Sequence, residues 1–421
     1  MTSAEKAAKG GGQLGDFHQN GKVATLHNLR CGDERTLESE LTHFAKARPV
    51  TLILPSLYSE LEGPALTHIV DVLTEVEFID QIVIGLDRAD EMQYRKARTF
   101  FSRLPQRHAL LWHDGPRLAA LHQRLEDYEL APRERGKGRN VWYCIGYTLA
   151  QQRSSVVALH DCDIRSYNKA MLARLIYPVV NPGFSYQFCK GYYPRLADGR
   201  LNGRVCRLLV TPILLALEKT IGHGDYLDYL KAFRYALAGE FAMRTSILPD
   251  MRIPSDWGLE IGTLSEAWRN LSPKAVCQVE ISDAYDHKHQ PLSEGDPTQG
   301  LSRMSIDICK ALFRKLATDG TVFSQETFRT LKATYFRIAL DLIESYYNDA
   351  RMNGLYVDRN AEEQAVELFA SNIVEAGHKF LDNPMETPFI PNWSRIQAAD
   401  PDLMFRMLDA VAADEKEYAP A

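Results

Sequence analysis

The chain has 421 residues, too many for one ordinary core, and combines 45% hydrophobic with 25% charged residues, a normal globular balance. Its formal net charge of −6 argues against a general nucleic-acid binder, which carries a broad basic excess. Seven cysteines, an odd count without a CxxC pair, indicate neither a disulfide framework nor a zinc site, and they fit a reducing cytoplasm.

The chain opens on MTSAEKAAKGGGQLG, which is polar, glycine-rich and without the apolar core of a signal peptide, so residues 1–20 are expected to be disordered. A strand-helix alternation begins near residue 49. VTLIL, which Pro55 is expected to stop, is followed by DQIVIGLD (80–87), RHALLWHD (107–114) and SSVVALHDCD (154–163). Apolar strands separated by helical segments imply a parallel sheet covered on both faces, with ligands bound beyond the carboxyl ends of its strands. Three of these runs finish in acids: Asp87, Asp114 and the Asp161/Asp163 pair. FSYQFCKGYYPR then reads as a strand and turn, and RVCRLLVTPILLALEKTIG as a helix that Pro212 starts, bends or breaks. The longest apolar run, Leu208–Leu217, is shorter than the roughly 18 residues of a membrane helix. From about residue 296 the pattern is helical, with Leu331, Tyr335, Ile338, Leu342 and Tyr346 on one stripe and Gly354 as an end cap. That stripe must be buried against the rest of the chain or a second subunit.

Five segments carry candidate chemistry. Asp161-Cys162-Asp163 follows the fourth strand. In extended backbone, residues i and i+2 share a side, so both carboxylates can face one Mg²⁺ or Mn²⁺. The same pattern also describes two solvated loop acids. Arg135-Gly136-Lys137-Gly138-Arg139-Asn140 precedes a helix and suits phosphate binding, or is a flexible basic loop. Arg204 and Arg207 can clamp a carboxylate or phosphate, or stay solvated. Ser255 or Asp256 can cap the helix that carries Glu260. In Tyr285-Asp286-His287-Lys288-His289 either histidine can complete a metal shell.

The order of Pro55-x-Leu57-x-x-Glu60, the GKG around Lys137, Asp161-x-Asp163, Gly203-Arg204-Val205, Leu237-x-Gly239-Glu240, WGLEIG and DHKHQPL resembles the glucosyl-3-phosphoglycerate synthase family over about residues 50–295. More distantly it is similar to the mannosylglycerate synthases. The resemblance implies an α/β, Rossmann-like nucleotide-sugar-binding glycosyltransferase fold (GT-A type) with a helical C-terminal extension. It divides the chain into a disordered 1–20, a catalytic domain at 21–295 and a helical region at 296–421. It implies a retaining transferase that moves glucose from an NDP-glucose to 3-phosphoglycerate, with Mg²⁺ or Mn²⁺ as cofactor. No nucleic acid or membrane partner is implied, and a cytoplasmic homodimer is. Asp161, Asp163 and His287 would bind the metal. Pro55, Glu60, Lys137, Asp161 and Gly239 would hold the nucleotide-sugar, and Gly203, Arg204 and Cys206 the acceptor. Leu237, Glu240 and Glu260 would surround the transferred sugar as the catalytic group. Front-face attack, with the leaving phosphate taking the proton, would give retention.

Tyr58 and Ser59 stand where the family pattern has acids, LDRAD (86–90) replaces a Ser-rich Asp loop, and Cys206 replaces a Thr. The stretch between Leu217 and Gly239 is also longer. These departures leave open mannosyl transfer and unphosphorylated glycerate as acceptor. A sugar nucleotidyltransferase is a further alternative, but its Gly-rich loop belongs at the end of the first strand, where this chain has LPSLYSELEG. A binding protein with a decayed site would lack the acids and histidine retained here.

Overall fold

The apolar runs near residues 50, 80, 107 and 156 become strands, the helical segments between them become helices, and the longest run, Leu208–Leu217, is helical. The computed structural model describes residues 19, 21–29, 34–255, 258–286, 300–384 and 390–419. The first half runs β1 (Ala24–Leu26), α1 (Glu34–Ala47), β2 (Val50–Leu57), α2 (Pro64–Leu73), β3 (Gln81–Asp87), α3 (Glu91–Phe101), β4 (Arg107–Trp112), α4 (Pro116–Asp127), α5 (Lys137–Gln151), β5 (Val156–Leu159) and α6 (Lys169–Val180). Next come β6 (Phe188–Tyr192), the hairpin β7 (Leu196–Ala197) and β8 (Arg200–Leu201), α7 (Thr211–Ile221), α8 (Asp225–Lys231), β9 (Phe241–Arg244), α9 (Leu259–Asn270) and β10 (Val276–Glu280). The rest is helical: α10 (Gly300–Thr318), α11 (Gln325–Met352), α12 (Arg359–Asp382), α13 (Trp393–Ala399) and α14 (Leu403–Glu417). The expected disorder of 1–20, apart from Gln19, and the expected boundary at 295/296 lie outside the described residues.

One sheet of eight strands has the order β1-β10-β6-β9-β5-β2-β3-β4. All pairs are parallel except those of β9, which runs antiparallel to both β5 and β6. Strand side chains alternate between two cores. Leu52, Leu54, Ile82 and Ile84 face α1, α2, α3 and α6, while Ile53, Val83, Leu111 and Leu159 face α4, α5 and the later helices. Pro55 does not stop its strand, because β2 continues to Leu57 and Pro55 pairs with Gly85. The partner on the other side, β5, reaches only Ile53, so that side needs no ladder donor at Pro55.

Pro212 starts α7 after a π-helical turn, Val205–Val210, closed by the Thr211 N–H donating to Cys206 O. A proline cannot donate back to the carbonyl four residues earlier. The Tyr335 hydroxyl of α11 donates to that carbonyl, Leu208 O, at 2.5 Å. The helical stripe thus ties the tail to the sheet domain. At its far end Trp393 stacks on Trp142 of α5 with ring centroids 4.1 Å apart. Trp142 Nε1 donates to Pro391 O at 2.9 Å, and Arg117 of α4 pairs with Asp414 of α14. No helix among the described residues is long and apolar enough to cross a membrane.

Candidate active site

The carboxyl ends of β2, β3 and β5 share one edge of the sheet. Because β9 is antiparallel to its neighbours, the residues before it reach that same edge. Gly239 and Glu240 therefore arrive beside Asp161 and Asp163, although they lie far away in sequence, with Leu237 two residues before Gly239 and its backbone near Cys206. The contact at Gly239 is tight: a Cβ there would stand 2.3 Å from Asp161 Oδ2, so any larger residue would push the Asp161 carboxylate out of place.

Lys137, the first residue of α5, places Nζ 2.6 Å from Asp161 Oδ1 and 3.1 Å from Glu260 Oε1 at the start of α9. Burial would lower its pKa, but the Asp161 and Glu260 carboxylates hold it above the ordinary lysine value. Ser255 is not the helix cap. Gly258 takes the cap position of α9 without a side-chain bond, and Asp256 lies outside the described residues. Ser255 is instead buried against the start of α5, where its carbonyl would lie 3.2 Å from a Cβ at Gly136.

Asp161 and Asp163 are brought together by a turn, since β5 ends at Leu159 and a turn begins at Cys162. Extended alternation is not the cause. Burial and then the neighbouring Asp161 charge push the Asp163 carboxyl up to about 7. Glu60, in the 3₁₀ turn Tyr58–Glu62 after β2, adds its own negative charge to this group. Two crowded hard oxygen donors fit a divalent cation. The third expected ligand, His287, lies outside the described residues.

Glu240 is fully buried and rigidly held. Tyr193 OH donates to Oε2 and Tyr285 OH to Oε1, each at 2.7 Å, and the two tyrosine rings stack 3.7 Å apart. Burial and Asp161 raise its pKa, while the two hydroxyls pull it back. Beneath the site, Lys190 of β6 is fully buried, and its Nζ has no hydrogen-bond partner among the described residues. Burial takes it down to about 8 against the opposing pull of Glu260 and Glu240. Sequence reasoning missed Tyr193, Tyr285 and Lys190. Tyr285 opens a quoted segment, and Lys190 and Tyr193 stand inside the quoted FSYQFCKGYYPR run, but their burial toward Glu240 is visible only in the fold.

The Gly203 segment lies beside this loop. Gly203 has φ 78, and a Cβ there would meet Arg195 at 3.2 Å and Tyr235 at 3.4 Å. Arg204 is half-buried, with its pKa lowered chiefly by desolvation and Glu362 acting against this. Cys206 is buried and its thiol is pushed up to about 11 by burial, with the backbone of Ala236 and Leu237 opposing. The expected two-arginine clamp does not form. Arg207 is buried and spends its fork on Glu362, with Nη2 2.5 Å from Oε1, while its Nε donates to Asn202 O at 2.9 Å. Pro55 lies inside β2, two residues short of the strand's end.

Elsewhere, Glu218, His223 and Asp228 form the one described trio whose ligand atoms lie within 4.8 Å of one another. Lys231 already bridges its two carboxylates at 2.6 and 3.0 Å, so that charge is compensated.

No protein-family model matches the chain. It is 42% identical over 404 residues to the glucosyl-3-phosphoglycerate synthase of Persephonella marina, covering 96% of this chain and 100% of that one. It is 37% identical over 409 residues to the enzyme of the same name from Methanococcoides burtonii, covering 96% and 99%. Among solved structures it is similar to glucosyl-3-phosphoglycerate synthase from Mycobacterium tuberculosis in complex with Mn²⁺, UDP-glucose and phosphoglyceric acid. The TM-score there is 0.51 at 20% identity, over 70% of this chain and 87% of that chain. The same protein with Mg²⁺ and UDP gives 0.51 at 21% identity, over 70% and 86%. These structural likenesses establish the fold.

Proposed function

The chain belongs to the glucosyl-3-phosphoglycerate synthase family, and from that premise we propose the chemistry of its site. The protein is a metal-dependent glycosyltransferase that moves glucose from a nucleoside diphosphate glucose to 3-phosphoglycerate, with retention at the anomeric carbon. The observation that carries the site assignment is the meeting of Lys137, Asp161, Glu240 and Glu260 at the sheet edge, joined through the Lys137 ammonium.

Asp161 and Asp163, with His287, would hold Mg²⁺ or Mn²⁺, and such an ion supplies positive charge to a leaving diphosphate. Lys137 donates to the same diphosphate, exchanging a carboxylate partner for a phosphate one. Pro55, Glu60 and Gly239 line the donor's nucleotide and sugar. Glu240 is oriented by two tyrosine hydroxyls toward the place of the transferred sugar, whose hydroxyls it accepts from. Leu237 and Glu260 close the sugar pocket. Gly203, Arg204 and Cys206 form the acceptor wall, with Arg204 on the phosphate or carboxylate. The expected homodimer and cytoplasmic location complete the reading. All six described cysteines are buried and free, which suits a reducing compartment.

The test is a matrix of UDP-, GDP- and ADP-glucose and GDP-mannose against 3-phosphoglycerate and glycerate. Nucleoside diphosphate release and the anomeric configuration of the product are read, with sedimentation equilibrium for the oligomer. Glucosyl transfer to 3-phosphoglycerate with retained configuration is expected. Pyrophosphate release, or no transfer from any donor, would overturn it.

A further inference from the structure

A cavity of about 390 Å³ opens between α4, the start of α5 and the segment that joins them. Neither Asp161 nor Glu240 lines it. Arg133 and Arg135 are exposed at its mouth, and Arg139 stands deeper, only 5% exposed. Arg139 Nη2 makes one long contact, 3.5 Å to His113 O, and its Nε has no partner among the described residues. A guanidinium so far removed from water is costly unless an anion joins it.

His113 shares the wall. It is 3% exposed, neither ring nitrogen has a partner within strict hydrogen-bond geometry among the described residues, and the Asn140 side chain is near enough to act on it as an acceptor. Burial lowers its pKa, Arg139 acts in the same direction, and Asp87 opposes, so the ring is neutral and offers one N–H. The two carboxylates of the cavity are already engaged. Asp114 accepts from Arg135 at 3.1 Å and from the Ala89 N–H at 3.2 Å. Glu126 faces His122 at 3.5 Å, and the other nitrogen of that ring meets Tyr143 OH at 2.9 Å. Three arginines against two acids leave the cavity with a net positive charge, and Arg139 makes no ion pair among the described residues.

We infer that this cavity is a binding site for a phosphoryl anion, inorganic phosphate or a phosphomonoester, held by the Arg139 fork and the His113 N–H with Arg133 and Arg135 at the mouth. Donors converging from several directions suit tetrahedral phosphate oxygens better than a planar carboxylate, which one fork satisfies. The volume falls in the range of small-molecule pockets, about 300–1,000 Å³, so an organic body attached to the phosphate also fits. Arg139 lies two residues from Lys137 on α5, so occupancy bears on the first turn that presents Lys137.

Melting is followed in chloride, inorganic phosphate and ribose 5-phosphate at equal ionic strength, for wild type, Arg139→Gln and Arg204→Gln. The wild type and Arg204→Gln should gain a few degrees in either phosphate. Arg139→Gln should lose that gain without melting lower in chloride, because it removes a buried charge that makes no ion pair among the described residues. A larger shift with ribose 5-phosphate assigns the site to phosphomonoesters, and an equal one to inorganic phosphate. Should Arg139→Gln fail to fold, calorimetric titration of phosphate into Arg204→Gln decides, with one site expected. No heat there, no shift in the wild type, or a shift kept by folded Arg139→Gln would overturn the assignment.

Discussion

Lys137 Nζ lies 2.6 Å from Asp161 Oδ1, so the cation that should serve the donor's diphosphate rests on a carboxylate that should serve the metal. On the proposed roles, donor and metal each compete with this internal pair, so the binding of one should favour the other. Lys137→Met removes the competitor and the diphosphate donor at once. Mn²⁺ binding without nucleotide, followed by electron paramagnetic resonance, should be unchanged or tighter. Donor binding should weaken about tenfold to a hundredfold, the worth of one charge-assisted hydrogen bond. Equal weakening of both would disprove the exchange.

The acid pair predicts a divalent-metal requirement. Asp163→Ala should fold normally, since it removes a half-buried, crowded carboxylate, and should lose transfer on the order of a hundredfold or more. Excess chelator should silence the wild type, and Mg²⁺ or Mn²⁺ should restore it. Full activity of Asp163→Ala in chelator contradicts the assignment.

Arg204→Lys separates acceptor from donor. A lysine keeps the charge but loses the planar fork. The kcat/KM for 3-phosphoglycerate should fall about tenfold to a hundredfold with donor binding held, and glycerate should be less affected if Arg204 reads the phosphate. An unchanged acceptor KM and kcat removes this segment from the acceptor site.

Arg207, four positions on from Gly203, should behave differently. Its buried pair with Glu362 joins the π-helical turn to α12. Arg207→Met strands a buried carboxylate and should cost about 3–5 kcal/mol in denaturant unfolding. Adding Glu362→Met should restore most of that loss. A solvent-facing substrate clamp would show neither effect.

Trp393 is 1% exposed and stacks on the helix that Lys137 opens. Trp393→Ala should cost about 3–5 kcal/mol and lower activity through a loosened α5. Gly146→Val should act in the same direction, because a Cβ at Gly146 already falls 2.0 Å from the Trp393 ring. Melting and activity unchanged in both variants would mean that the tail does not support the site.

The sequence by itself determined β2 to β6, the acids that follow several of them and the basic turn before α5, while β1 and β9 carried no such signal. Apolar runs and their punctuation are local signals that burial merely confirms. The motif order carried the family and its reaction. Tertiary structure alone decided which residues meet. Nothing local tells that β9 runs antiparallel, yet that reversal brings Gly239 and Glu240 to Asp161. Nothing local separates Arg204 from Arg207, because the difference is a carboxylate, Glu362, more than 150 positions away. Pro55 and Pro212 make the same point from the backbone. A proline's missing N–H is a local fact, but its cost depends on whether a neighbouring strand needed it, or a distant Tyr335 hydroxyl replaces it.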